Sequence, residues 1–195
     1  MTAPVATRGR VIHVTHPLVQ HKLSYLRDRN TPTVHFRKLA NELTLLLTYE
    51  ATKDMPTETV EIETPLERME AHRISGKKVA VCPVLRAGVG MLDGVLSLVS
   101  GARVGFIGMY RDEETLEPVE YYVKLPVDLD QRDAIVLDPM LATGNSSVAA
   151  IETVKSAGAR LRRRPPGAST APRIRAIPPT AGVSSTTIAS ASAAP

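Results

Sequence analysis

Tryptophan is absent from this sequence of 195 residues, and aromatic side chains make up only 4% of it, although 43% of the residues are hydrophobic. That is enough apolar material for one α/β domain with a sizeable core, packed mainly from aliphatic side chains. A single cysteine, Cys82, excludes an intramolecular disulfide. It lies in the apolar run 79–84 and reads as a buried thiol that packs like a small hydrophobe. Nothing resembles a secretory leader, and no apolar run has membrane-spanning length, so a cytoplasmic setting without a membrane partner is expected. Neither G-x-G-x-x-G nor G-K-[ST] occurs, which argues against dinucleotide and P-loop chemistry. The histidines (His13, His16, His21, His35, His72) form no H-E-x-x-H or other tight ligand spacing, and no cysteine pair assists them. No metal held by the protein itself is expected. No internal repeat is visible.

Acidic residues are missing from one region only. Residues 161–195 contain five arginines and no Asp or Glu, whereas the whole chain has 24 basic and 20 acidic residues and a net charge of +4. Subtracting those five leaves 19 against 20 for residues 1–160, a body of about −1. The basic balance belongs to the tail, so it does not mark the body as a nucleic-acid binder.

Residues 1–10 are small and polar and read as a flexible lead-in. Residues 11–14 are a short strand candidate. His16-Pro17 opens a helix to about Arg29, with Leu18, Leu23 and Leu26 on one side. Thr31-Pro32 reads as an N-cap followed by proline at the first helical position, and Phe36, Leu39, Leu43 and Leu47 continue a helical stripe. Residues 59–63 alternate as a half-exposed strand does, and 79–85 form a buried strand. A helical pattern resumes at 91–99, and 103–109 is a further apolar strand. Residues 112–123 are acidic and contain Pro118 and Tyr121-Tyr122, which suits a long loop or β-arm that could act as a lid. Strands alternating with helices predict an α/β fold, a parallel sheet flanked by helices on both faces.

The most informative stretch is 134–147. An apolar run without alternation, 134–137, ends in Asp138, and a loop leads to a helical pattern over 148–157 with Gly158 as its stop. A helix start of this kind offers free backbone N–H groups and the positive end of the helix dipole, which suits a phosphate. Gly144 permits close approach of an anion, and Thr143, Ser146 and Ser147 add hydroxyl donors. Asp138, at the carboxyl end of a strand, lies where open α/β sheets bind ligands and suits hydroxyls or a ligand-borne metal. Together these describe a sugar-phosphate site. The same letters also serve an ordinary strand-to-helix turn with a Ser/Thr cap.

Asp138-Pro139-Met140-Leu141-Ala142-Thr143-Gly144-Asn145-Ser146 resembles the phosphoribosyl-diphosphate (PRPP) loop of uracil phosphoribosyltransferases. The family usually has Gly-Gly-Ser where this chain has Gly144-Asn145-Ser146, and Asn tolerates left-handed backbone angles. The resemblance extends to His16-Pro17-Leu18-Val19-Gln20-His21-Lys22-Leu23 and Pro83-Val84-Leu85-Arg86-Ala87-Gly88. It also includes Gly108-Met109-Tyr110-Arg111 with Glu114-Thr115-Leu116-Glu117-Pro118. It covers about residues 12–160 and implies conversion of uracil and PRPP to UMP and diphosphate, a pyrimidine-salvage reaction. Arg86 and Arg111 match the family arginines beside the diphosphate. By the same resemblance Asp138 takes the ribose hydroxyls, and residues 139–146 complete the PRPP loop, with Thr143 to Ser146 around the 5′-phosphate. Magnesium arrives on PRPP. The family implies a homo-oligomer, and some members respond to GTP. Neither a catalytic nucleophile nor a uracil contact is identified.

From about Leu161 the chain becomes an Ala/Pro/Ser/Arg-rich text without helical or strand period, expected to be disordered. The family continues here with further strands and a Gly-rich uracil loop, so 11–160 reads as a core that is incomplete at its C-terminus. Two other functions are therefore weighed: an inactive PRPP-binding core unable to bind uracil, and an RNA-binding regulator of pyrimidine genes with the same fold. The tail reads either as a shifted reading frame in GC-rich DNA or as a native tail. Translating the downstream DNA in the other two frames decides between them: a Gly-rich, strand-bearing C-terminus in one of them supports the shift, and its absence from both excludes it.

Overall fold

The computed structural model describes residues 10–76, 79–112, 114, 118–140, 144–158, 174–177 and 186–191, with the backbone alone at 10, 11, 111, 174–177 and 186–191. Strand β1 (Arg10–Val14) leads to α1 (Pro17–Arg27) and α2 (Thr33–Thr52). The His16 side chain caps α1 by accepting from the Leu18 amide at 3.2 Å, with Pro17 pre-set for the first turn. α1 buries Val19 and Leu23, while Leu18 turns outward. Thr31 is not the cap of α2: its hydroxyl donates to the Tyr25 carbonyl at 2.6 Å, and Pro32 holds the cap position. The α2 face turned inward centres on Leu43 and Leu47, and Phe36 is exposed. Thr44 and Thr48 share that buried face because their hydroxyls donate to carbonyls one turn back, Ala40 at 2.7 Å and Thr44 at 2.8 Å.

Strands β2 (Thr57–Glu63) and β3 (Arg68–Ile74) form a separate antiparallel ribbon. The second of these was not expected from its sequence, whose apolar residues are sparse. Strand β4 (Ala80–Leu85) runs into a 3-10 turn, Ala87–Met91, and α3 (Leu92–Leu98). Then come β5 (Arg103–Val104), β6 (Phe106–Arg111), β7 (Pro118–Lys124), β8 (Ala134–Leu137) and α4 (Asn145–Ser156). Two more strands follow, β9 (Ile174–Ile177) and β10 (Thr186–Ala191). The expected loop or arm at 112–123 is an arm where it is described: β7 folds back on β6.

The main sheet has the order β1-β10-β9-β8-β4-β6-β7, with β5 also against β4. Its centre is parallel, as expected from apolar strands joined through helices. Its margins are antiparallel, at β6–β7, β9–β10 and β10–β1, so the sheet is mixed rather than wholly parallel. Two core clusters show why β4 and β8 carry no polar alternation. Val81 of β4, with Ile135 and Leu137 of β8, packs with α1, α2 and α3. Their neighbours Ala80, Cys82, Val84, Ala134 and Val136 pack on the other face with Ala150 and Val154 of α4. Cys82 is fully buried, and burial pushes its thiol up to about 12, which suits packing and not nucleophilic attack.

The tail departs from the strandless text expected of 161–195. Ile174–Ile177 extends the sheet parallel to β8, and Thr186–Ala191 pairs with both β9 and β1. These stretches hold isoleucine and threonine in short runs, and the backbone groups along the open side of β8 need partners whatever the side chains. The 11–160 core, expected to be incomplete at its C-terminus, is thus extended by two strands from this segment.

Close packing of α2 on α3 depends on Gly94, where an added Cβ would lie 2.6 Å from the Asn41 carbonyl oxygen and 2.9 Å from Thr44 Cβ. Gly94→Ala should destabilise the fold by about 1–3 kcal/mol, the range for overpacking a filled core. Thermal unfolding followed by circular dichroism checks this; an unchanged Tm would mean that the two helices can part at no cost.

Candidate functional site

Because β8, β4 and β6 are parallel neighbours, their carboxyl ends emerge along one edge of the sheet. Asp138 follows β8, Arg86 follows β4, and Arg111 is the last residue of β6. The three residues singled out from sequence are therefore brought to the same edge. The Arg86 side chain is exposed and has no acidic partner among the described residues. The side chain of Arg111 and the loop residues Leu141, Ala142 and Thr143 lie outside what is described.

Asp138 is half-buried and held from two sides. One carboxylate oxygen accepts the Met140 amide at 3.3 Å, and the other accepts the Ser147 hydroxyl at 3.0 Å. Ser147 is buried in the first turn of α4, so this bond ties the end of β8 to the start of the helix. Burial raises the carboxyl above its ordinary range, and the two hydrogen bonds oppose that shift. Two ligands leave the carboxylate spare lone pairs for hydroxyls.

The start of α4 has the geometry of an anion site. Gly144, at the N-cap, has φ +84° and supplies no side-chain cap. The first intrahelical bond recorded at this end runs from the Val148 amide to the Gly144 carbonyl at 2.9 Å. Among the described residues, the amides of Asn145, Ser146 and Ser147 have no acceptor, the situation that favours phosphate binding. The left-handed position falls on Gly144, not on Asn145, which is simply the first helical residue and is exposed. The departure at Asn145 therefore costs the backbone nothing. Pro139 is half-buried and Met140 exposed.

The Arg86 loop is seated by a second close contact. At Gly88 an added Cβ would lie 2.4 Å from the Leu137 carbonyl oxygen, so only glycine lets this turn rest on the residue before Asp138.

A sequence model of the family described as Uracil phosphoribosyltransferase matches residues 13–163. A uracil phosphoribosyltransferase of Bacillus caldolyticus is 57% identical over 78% of this chain and 73% of its own length. That of Streptococcus mutans is 58% identical over 77% and 72%. This chain belongs to the uracil phosphoribosyltransferase family. A solved protein structure from Aquifex aeolicus is also similar, with a TM-score of 0.70 and 37% identity over 75% of this chain and 70% of that one.

Within the family's fold, sequence reasoning misassigned one residue and overlooked another. Ser147 was read as a hydroxyl donor for phosphate, but its hydroxyl is spent on Asp138. The signal was present in the spacing: a small hydroxyl residue in the first turn of the helix lies nine positions after an acid at a strand end. Gly88 stands in a motif that carries the resemblance but was given no role, because its need arises from a contact across strands.

The raised carboxyl fixes the direction of the pH effects. Its native pKa lies above the unfolded value, so ionised Asp138 subtracts from stability at neutral pH, and that cost fades as pH falls through the raised value. Asp138→Asn keeps an acceptor for Met140 and a donor for Ser147 while removing the charge. Its Tm at neutral pH should equal or exceed the parent's while turnover is lost. Ser147→Ala removes a bond that favours the ionised form, so the acid limb of the kcat/KM profile should move to higher pH. A limb that stays in place would separate Asp138 from catalysis.

Proposed function

We propose that this protein transfers the 5-phosphoribosyl group of PRPP to uracil, giving UMP and diphosphate. The observation that carries the reading is the juxtaposition of a held carboxylate, Asp138, with the uncapped start of α4. A sugar phosphate needs both, an acceptor for hydroxyls beside donors for a phosphate. The names borne by relatives at 57–58% identity support uracil as the acceptor base.

In this reading the amides at Gly144 to Ser146, with Thr143, hold the 5′-phosphate, and Pro139 to Ala142 carry the loop between that anion and the sugar. Asp138 accepts from the ribose hydroxyls. Arg86 and Arg111 grip the diphosphate with planar forks that match phosphate oxygens in pairs, which a lysine cannot do. Diphosphate departure leaves positive charge on the sugar, so the work of these residues is positioning and charge stabilisation, without a side-chain nucleophile. Magnesium would arrive on the diphosphate and would supply positive charge against the leaving group there. Such an ion keeps its waters and relies on substrate phosphates, and among the described residues no three His, Cys, Asp or Glu side chains cluster to hold one alone.

Further parts of the proposal are an assembly of two or more copies, a response to GTP, a cytoplasmic setting and no nucleic-acid partner. The assembly is supported by the β2–β3 ribbon. Its Val60 and Ile62 pair with Ala71 and Met69 on a side that joins neither core cluster, and a lone two-stranded ribbon is marginal in water. The near-neutral body supports the absence of nucleic acid, and no helix among the described residues is long and apolar enough to cross a membrane. We read residues 11–160 as the phosphoribosyltransferase core, and 161–195 as either a segment in a shifted reading frame or a native tail, of which 174–177 and 186–191 pair into the sheet.

The test is uracil-dependent release of diphosphate by the full chain, with PRPP titrated by calorimetry. The parent should release diphosphate only when uracil is present. Arg86→Ala should weaken PRPP by about a hundredfold, the scale of two hydrogen bonds to a charged group. PRPP binding without release would identify an inactive core, and an unchanged PRPP affinity in Arg86→Ala would remove the arginine from the site.

A further inference from the structure

Tyr121 is placed by an irregularity in the sheet. Along β6 and β7 the pairing runs Phe106 with Lys124, Ile107 with Val123 and Gly108 with Tyr122, then resumes at Met109 with Glu120. Tyr121 is thus the extra residue of a bulge, opposite no residue of β6. Bulges re-aim a side chain, and here the new direction is visible. An added Cβ on Gly108 would lie 2.7 Å from two atoms of the Tyr121 ring, so the ring rests on the bare backbone of β6. On its other side Gly108 pairs with Leu85, the residue before Arg86.

The ring therefore sits one strand from the exit that delivers Arg86. A cleft of about 690 Å³ opens there, lined by Leu85, Arg86, Ala87, Met109, Tyr110 and Tyr121. The Tyr121 side chain is half-exposed, its ring 6.2 Å from that of Tyr110, and its hydroxyl has no partner among the described residues. A phenol set beside a guanidinium in a cleft can donate to the same anion that the guanidinium holds.

We propose that Tyr121 is a binding residue for the diphosphate end of PRPP, its hydroxyl donating to a phosphate oxygen held by Arg86 while its ring walls the cleft. The inference rests on the assignment of Arg86 to the diphosphate. The side chain would act on the leaving group and on the product, not on the ribose 5-phosphate moiety, which the Asp138 loop holds. The bulge and Gly108 are the structural devices that bring it there.

Calorimetry on the full chain with two probes tests this: inorganic diphosphate with excess Mg²⁺, and ribose 5-phosphate. Tyr121→Phe keeps the ring over Gly108 and removes only the hydroxyl, so it preserves the packing that Tyr121→Ala could disturb. In Tyr121→Phe, diphosphate should bind about tenfold more weakly, the loss of one hydrogen bond to a charged group, with ribose 5-phosphate unchanged. Tyr121→Ala should weaken diphosphate further. Unchanged diphosphate affinity in Tyr121→Phe, or an equal loss for both probes, overturns the proposal. Arg86→Ala measured alongside separates the two levels: if it too leaves diphosphate binding intact, the assignment of Arg86 fails and Tyr121 falls with it.

Discussion

A carboxylate partly withdrawn from water is the constraint on which the site depends. Asp138 lies at the end of a fully buried strand, where its charge is disfavoured. Without hydrogen bonds to its charged form, burial alone would push this carboxyl further upward. The Met140 amide and the Ser147 hydroxyl counter this by donating to the ionised form. The second bond does more, because Ser147 belongs to α4. The same contact that keeps the charge also sets the helix start, with its open amides, beside the carboxylate. Charge state and phosphate geometry are therefore coupled through one hydroxyl.

Backbone contacts without side chains position the remaining parts. The Arg86 turn rests on the Leu137 carbonyl through Gly88, and the Tyr121 ring rests on β6 through Gly108. Both contacts lie within one strand of the Arg86 exit. Parallel pairing of β4 with β8 and β6 aims the strand ends in one direction, but it does not fix the spacing of the loops that follow. The glycines supply that spacing: a side chain at Gly88 would push the turn off the Leu137 carbonyl, and one at Gly108 would displace the Tyr121 ring. On the far side, α4 is also tied to the arm by the Thr153 hydroxyl, which donates to Glu120 at 2.7 Å. The helix that offers the anion site and the arm that carries Tyr121 are thus one connected unit.

Much of this was legible in the letters. Unalternating apolar runs at 80–85 and 134–137 announced strands buried on both faces, and they are the strands shared by the two core clusters. Asp138, Gly144 and Ser146 announced a strand end and a helix start. Legibility ended wherever a residue's role depends on another part of the chain. Thr31 looked like a cap and instead donates to the Tyr25 carbonyl across the turn between α1 and α2, while Pro32 holds the cap position. Gly88 and Gly108 matter only across strands. Residues 68–74 alternate too weakly to read as a strand, since their partner β2 supplies the pairing and no core claims their side chains. The strands at 174–177 and 186–191 are pairings required by β8 and β1 more than by their own composition.

That last point bears on the site itself. β1 precedes the first helix, yet it joins the sheet only through β10, and β8 has β4 on one side and β9 on the other. If residues 174–177 and 186–191 did not pair, β8 would become an edge, with its N–H and C=O groups open to water along the strand that ends in Asp138. Water reaching that strand end would relieve the burial that raises the carboxyl, and it would compete for the hydroxyl of Ser147. The C-terminal strands need no residue in the pocket to affect its chemistry. By pairing with β8 they keep the strand that ends in Asp138 from lying at the sheet's edge.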